Sequence, residues 1–384
     1  MALALPVACA AAVDINGPPA LDRALLLTYL KAHGKPPVDY VVSKFKNHDV
    51  VILGEIHEVP ENLQLISDLI APLYHRAGVR CLATEFLRSR NTARANQIVT
   101  APQYDQAAVV ALYRDFVSMW GFQEYMDIFK SVWALNHSLP AGALRFRIVG
   151  LDDTLEEYDV LSASEQERPA LMKRFEGRDR YMADVLLREL HSHKGKVLLH
   201  TGSMHSLLHY RQPDFRQPMP ADGKQVREME PRMGGILHQK LRARVFSICL
   251  HQWHLSPELL VGGGPQGKPR QPLGGLLEEL LAANGNRPLG FDIEGSPFAS
   301  LRDRQSIYFA YQPEVVFSDL AQGYIFLKPL KDLARHCTWI KGFVDHTNFE
   351  KVRGIALQRG WIKAEEAKTP QELDDKIGTL LSSN

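Results

Sequence analysis

The sequence predicts an α/β protein: a mostly parallel central sheet flanked by helices, with an active-site cleft at the C-terminal strand ends and long lid-like loops. Three observations carry that expectation. Short aliphatic or β-branched runs alternate with longer segments of helical periodicity, as chained βαβ units require. Several of the runs are apolar without interruption, which marks strands covered on both faces. Titratable residues collect directly after the runs, where open parallel sheets bind ligands.

Taken in order, strands are expected over residues 49–54 (DVVILG), 80–86 (RCLATEF), 144–151 (LRFRIVGL), 196–202 (KVLLHTG) and 243–250 (ARVFSICL), with weaker runs at 287–293 (RPLGFDI) and 324–329 (YIFLKP). The segments between them read as helices. ENLQLISDLIAPLYHRAG sets Leu63, Ile66, Leu69, Ile70 and Leu73 on one face and stops at Gly78. GFQEYMDIFKSVWALNHS repeats the spacing with Phe122, Tyr125, Met126, Phe129 and Trp133. RDRYMADVLLRELHSHKG does so with Tyr181, Val185, Leu186 and Leu190, stopped by Gly195. Residues 206–240 and 260–275 are rich in Pro, Gly and polar side chains and read as long loops, lids over a binding site. The expected organisation is a segment 1–20 serving as a signal or disordered tail, one domain over 21–330, and a helical extension over 331–384.

The residues that follow the strands point to chemistry. The first strand ends in Gly54, Glu55 and His57, the second in Glu85, and the third in Asp152 and Asp153. The fourth supplies His200, Gly202 and His205, and the fifth His251 and His254. One polar strand end is ordinary turn or capping chemistry, and Asp152–Asp153 ahead of TLEE taken alone reads as a helix cap. Four such ends on one edge read as a site. GEIH and GSMH are the same Gly-x-x-His pattern after strands one and four. Glycine there permits a tight turn or a close approach, and the two turns would bring His57 and His205 face to face.

A histidine held by a carboxylate is a general base near neutral pH. His57 would take a proton from water, with Glu55 or Glu85 orienting it, while His205 would bond a carbonyl oxygen or protonate a leaving group. Asp152 and His200 are the expected substrate-binding residues. A second reading uses some of the same groups as metal ligands: His57, Glu85 and His205 suit zinc or manganese with an open position for water. No HExxH motif or Gly-x-Ser-x-Gly elbow is present to add weight to the metal or to a serine nucleophile.

Composition narrows the classes. Of 384 residues, 45 are Lys or Arg and 44 Asp or Glu, so no bulk charge draws nucleic acid. The expected partner is a small-molecule or peptide substrate. The opening MALALPVACAAAVD has the hydrophobic region and small residues of an export signal without its basic start, and it is too short to span a bilayer. It favours a periplasmic or secreted protein over a cytoplasmic one; a docked or disordered tail is the competing reading. Of the four cysteines, Cys81 and Cys249 fall in strands as small hydrophobes, and no CxxC occurs.

From about residue 48 to 330 the chain resembles the superfamily of erythromycin esterase-like hydrolases, Tiki-type metalloproteases and haem-uptake lipoproteins such as ChaN. The motifs that carry the resemblance are ILGEIHEVPEN, LATEFL, MWGFQEYMDIFKSVWALNHS leading into FRIVGLDD, RDRYMADVLL, VLLHTGSMHS, and RMGGILHQKL before ARVFSICL. It implies that His57 activates water, that Glu55 and Glu85 are the paired carboxylates and that His205 is the second histidine. It also implies a basic site residue, Arg88 or Arg90, with Arg178 and Arg180 as the alternative at a helix start. The implied activity is hydrolysis of an ester, lactone or amide; the alternative is haem binding through a surface tyrosine, for which Tyr74 and Tyr104 are candidates. EVPEN follows the first motif where the antibiotic esterases tend to carry Ser-His-Gly, which sets macrolide hydrolysis apart from the expectation.

Overall fold

The computed structural model describes residues 12–17, 21–116, 119–153, 159, 162–212, 228–255, 269–310, 312 and 314–382. Most of the opening segment, including Cys9, residues 213–227 of the first long loop, and residues 256–268, which take in the first part of the second, lie outside the described residues.

Seven strands form one sheet: β1 (Val50–Glu55), β2 (Cys81–Arg88), β3 (Arg147–Asp152), β4 (Val197–Gly202), β5 (Val245–Leu250), β6 (Leu289–Asp292) and β7 (Gly323–Phe326). Their spatial order is β3-β2-β4-β1-β5-β7-β6, parallel throughout except that β6 runs antiparallel to β7. All seven expected runs are therefore strands of one sheet. The expected third run starts early: residues 144–146 precede the strand, although Phe146 is buried.

The uninterrupted apolar runs are explained by cover on both faces. Val51 and Leu53 pack with Leu63, Ile66, Leu69, Tyr125 and Phe129 on one side. Val50 and Ile52 pack with Met182, Leu186, Leu190 and Leu237 on the other. The helices that supply these faces are Pro60–Pro72, Gln123–Ser138, Arg178–His193 and Met233–Leu241. A third cluster, around Leu26, Leu30, Leu277, Phe291 and Tyr324, covers the β6–β7 end of the sheet. At the C-terminal end Phe349–Gln358 and Pro370–Ser382 are helical, and Val352, Ile355, Leu373 and Ile377 form a small core there with Met119.

Three local expectations change. Gly78 does end its helical segment in the left-handed conformation (φ 72°), after an added wide turn over Leu73–Ala77. The helix from Arg178 is instead capped by Lys194, not Gly195, in that conformation (φ 43°). Tyr181 leaves the packed face of that helix: it is 36% exposed, and its hydroxyl bonds Ser89 at 2.6 Å. The loop expected over 206–240 is also shorter, because Met233–Leu241 is helical.

Two registers matter for the site. Glu55 lies beside Gly202, and Gly54 is flanked by Thr201 and Cys249. Between Thr84 and Arg88, β2 spans four residues where β3 spans two, from Gly150 to Asp152, so β2 bulges there. Such a bulge bends a strand and re-aims its side chains. Here it falls on Glu85. Gly150 accommodates the bulge by close approach: a Cβ there would stand 2.4 Å from the Arg88 carbonyl oxygen.

Candidate active site

Glu55 is the last residue of β1, and its side chain is fully buried. A buried carboxylate requires donors, and three converge on it. The Tyr125 hydroxyl donates to Oε1 at 2.5 Å, His200 Nε2 lies 2.7 Å from Oε2, and His57 Nδ1 lies 3.3 Å from Oε1. Burial pushes the acidity of Glu55 towards a higher pKa, but the imidazoles of His200 and His57 outweigh it and hold the value below the ordinary range. The group is therefore ionised at neutral pH. In its neutral form His57 donates its Nδ1 proton to Glu55, and Nε2 is left to accept.

The His57 ring is open to solvent, with a side chain 42% exposed. It stands edge-on to Phe86 (5.3 Å between centroids) and Trp120 (5.2 Å). Burial pulls its pKa down, yet the Glu55 hydrogen bond and the charges of Glu85 and Glu55 raise it above the ordinary imidazole value. His200, by contrast, is fully buried against Phe86 (4.7 Å), and its Nδ1 has no hydrogen-bond partner among the described residues.

A second constellation forms around Glu85. Its Oε2 accepts from the Thr201 hydroxyl and the Gly202 amide, both at 2.7 Å. Its Oε1 accepts from Arg178 Nη2 at 2.6 Å. Burial opposes ionisation here too, but His205, Arg178 and His57 drive the Glu85 pKa far below the carboxylate range. Arg178 also bonds Asp152 Oδ2 through Nε (3.0 Å) and Nη2 (2.8 Å). Its Nη1 lies 3.3 Å from His205 Nε2. The same Nε2 lies 3.5 Å from Glu85 Oε1. Nδ1 lies 2.6 Å from Asp179 Oδ1, and Asp179 is held in turn by the Met233 amide (2.8 Å) and Arg232 (3.0 Å). Burial raises the Asp179 pKa, but His205 and Arg232 bring it down to about 2.

The two Gly-x-x-His turns interlock. A Cβ on Gly202 would stand 2.6 Å from His57 Cε1, and one on Gly54 would stand 2.1 Å from the Ser206 hydroxyl. Gly202 has an ordinary φ of −61°. Close approach, not turn geometry, is what calls for glycine at both positions.

The structure thus brings Glu55, His57, Glu85, His200, His205 and Asp152 to one sheet edge. Arg88 Nε bonds the Asp115 carbonyl at 2.5 Å, and Arg90 bonds Asp115 and Asp153. The arginine within the cluster is Arg178, at the start of the helix over Arg178–His193. His251 bonds Tyr324 and Glu278, and His254 bonds Ser306, outside this network. Three participants had no reading as site residues in the sequence: Tyr125, which looked like a core-facing aromatic; Asp179, the partner of His205; and Trp120. For Asp179 a signal existed, a carboxylate in the first turn of a helix beginning Arg-Asp-Arg.

Neither implied cofactor fits these side chains as they stand. Of the three candidate metal ligands, Glu85 and His205 already face the Arg178 guanidinium, a fixed cation. Among the described residues no three His, Cys, Asp or Glu side chains stand together so as to hold a metal ion. The candidate haem tyrosines are engaged as well: Tyr74 donates to the Leu144 carbonyl (2.8 Å) and Tyr104 to that of Met126 (3.2 Å). No helix among the described residues is long and apolar enough to cross a membrane.

No family model and no curated protein matches the chain. Among solved structures it is similar to a mutant of the erythromycin esterase EreC in its open conformation, at 13% identity over 75% of this chain and 92% of that one (TM-score 0.46). It is also similar to ChaN of Campylobacter jejuni with cofacially bound haem, at 16% identity over 55% and 85% of the two chains (TM-score 0.36). A Bacillus cereus protein aligns at 11% identity over 79% and 97% (TM-score 0.46).

Proposed function

We propose that the protein is a hydrolase that cleaves an ester, lactone or amide bond with water activated at His57. The observation that carries this reading is an open imidazole backed by a buried, ionised carboxylate: His57 is 42% exposed, and its Nδ1 faces Glu55. In this scheme Nε2 takes a proton from water as the water oxygen attacks the substrate carbonyl. The proton then passes to the leaving oxygen or nitrogen. His57 keeps its orientation throughout because Glu55 is itself fixed by Tyr125 and His200.

Arg178 supplies the opposite charge. Four of its hydrogen-bond contacts, to Asp152, Glu85 and His205, use Nε, Nη2 and one position on Nη1. A guanidinium has five N–H groups, so an Nη1 hydrogen remains for the oxyanion that develops on the carbonyl. Asp179 and Arg178 orient His205 beside it.

The test is a screen of esters and lactones, then amides, with the purified protein, a chelator-treated sample and His57→Ala in parallel. Hydrolysis is expected to survive chelation and to fall by about 10²–10⁴-fold in His57→Ala. Full activity in His57→Ala on a confirmed substrate would overturn the mechanism.

A further inference from the structure

The residue after His57 is held in an unusual conformation. Glu58 has φ 65°, the left-handed region that non-glycine residues rarely occupy. Strain of this kind persists only where the surroundings over-determine it. Two contacts do so here: the Glu58 amide donates to the Tyr125 hydroxyl (3.2 Å), and its carboxylate lies 3.3 Å from His336 Nδ1.

His336 belongs to a strap, residues 328–340, that follows the last strand. The strap grips three glutamates. Lys328 Nζ and the Ala334 amide bond Glu61 (2.8 and 3.3 Å), His336 faces Glu58, and the Thr338 amide and hydroxyl bond Glu124 (2.9 and 2.8 Å). Backbone bonds reinforce it, from Gln123 to Thr338 (2.9 Å) and from Ile340 to Gly121 (2.8 Å). Each gripped glutamate sits next to a site element. Glu58 follows His57, Glu61 lies in the first turn of the helix that continues that loop, and Glu124 precedes Tyr125. Tyr125 closes the circuit, since its hydroxyl joins the Glu58 amide to Glu55, which orients His57.

We infer that the strap is the positioning element of the site, and that His336 is a positioning residue that fixes the His57 turn through Glu58. His336 touches no reacting atom. Its effect reaches the imidazole through the conformation of Glu58. The inference rests on the hydrolase reading only for its kinetic consequence; its geometric consequence stands without it.

The experiment uses the full chain with His336→Gln and His336→Lys, a cation that can still pair with Glu58. Melting curves establish folding, and NMR follows the His57 imidazole titration, assigned by its absence in His57→Gln. His336→Gln is expected to lower the His57 midpoint by about half a pH unit as the Glu55 contact loosens. It is expected to lower kcat about tenfold with KM unchanged, and His336→Lys is expected to restore both. Should His336→Gln fail to fold, Glu58→Gln, which removes only the charge of the pair, is expected to shift the midpoint the same way. A lower melting temperature with the midpoint unmoved, or no rescue by lysine, overturns the inference. A shifted midpoint with no hydrolytic activity in any form would keep the strap and overturn the hydrolase reading.

Discussion

Replacing Glu55 with glutamine removes one charge and almost no volume, so its cost can be worked from the bonds. The carboxylate receives Tyr125, His200 and His57 at 2.5, 2.7 and 3.3 Å. A glutamine offers one acceptor oxygen and an NH₂ group that must face a donor. The least costly arrangement turns the NH₂ towards His200, which then moves its proton to Nδ1, an atom with no partner among the described residues. Leaving that buried donor unpaired costs about 1–3 kcal/mol, and the two remaining bonds each lose about 1 kcal/mol on becoming neutral. Relief of the desolvation penalty offsets part of this, but the site already favours the ionised form, because the net effect on Glu55 is a lowered pKa. Glu55→Gln should therefore lose about 3 kcal/mol in urea unfolding at pH 7. A carboxylate with a depressed pKa stabilises above its ordinary value of 4.5 and loses that contribution as pH falls through the folded value. The gap between wild type and variant should accordingly narrow in acid. The His57 titration should move down, since Glu55 helps to raise it. Equal stability at pH 7 together with an unmoved His57 titration would refute the account of this carboxylate.

Other variants probe the remaining contacts. Gly202→Ala places a methyl group 2.6 Å from His57 Cε1; it should destabilise by about 1–3 kcal/mol and shift the His57 ring resonances, and wild-type spectra would disprove the interlock. Arg178→Met removes the cation that Glu85 and Asp152 share and should cost about 3–5 kcal/mol in chemical denaturation. Arg178→Lys should recover only part of this, because a point charge cannot reproduce the Nε and Nη2 pattern. Asp179, lowered from 3.8 to about 2, stabilises fully above its ordinary value and loses that support as pH falls to about 2. The corresponding acid-linked loss, about 2 kcal/mol between pH 4 and 2, should be absent in Asp179→Asn.

Much of this was legible in the chain, and the parts that were not have physical reasons. Buried parallel strands are apolar on both faces, so VVIL and VLLH announce themselves, and the His and Glu that end them stand out by contrast. Strand order and the reversed direction of β6 leave no periodic trace, because an antiparallel edge strand covered on both sides reads like its neighbours. Tyr125 was hidden by its own environment: it sits at a helical spacing with Met126 and Phe129, and only the bonds of its hydroxyl separate it from core. Tyr181, on a similar spacing, was read as packed and is instead partly exposed against Ser89. The sequence left Arg88, Arg90, Arg178 and Arg180 as candidates for a basic residue, and the bond from Arg178 to Glu85 joins residues 93 apart in the chain, which no local pattern reveals.

The reciprocal packing of Gly54 under Ser206 and Gly202 under His57 carries a consequence for how such a site can drift. Each turn is the mould in which the other is cast. Bulk added at position 54 displaces the segment bearing His205, and bulk at 202 displaces His57, so neither turn can grow without moving the other. Change around the His57 ring that leaves this packing intact has to come from other neighbours, such as Trp120, whose ring centroid stands 5.2 Å away.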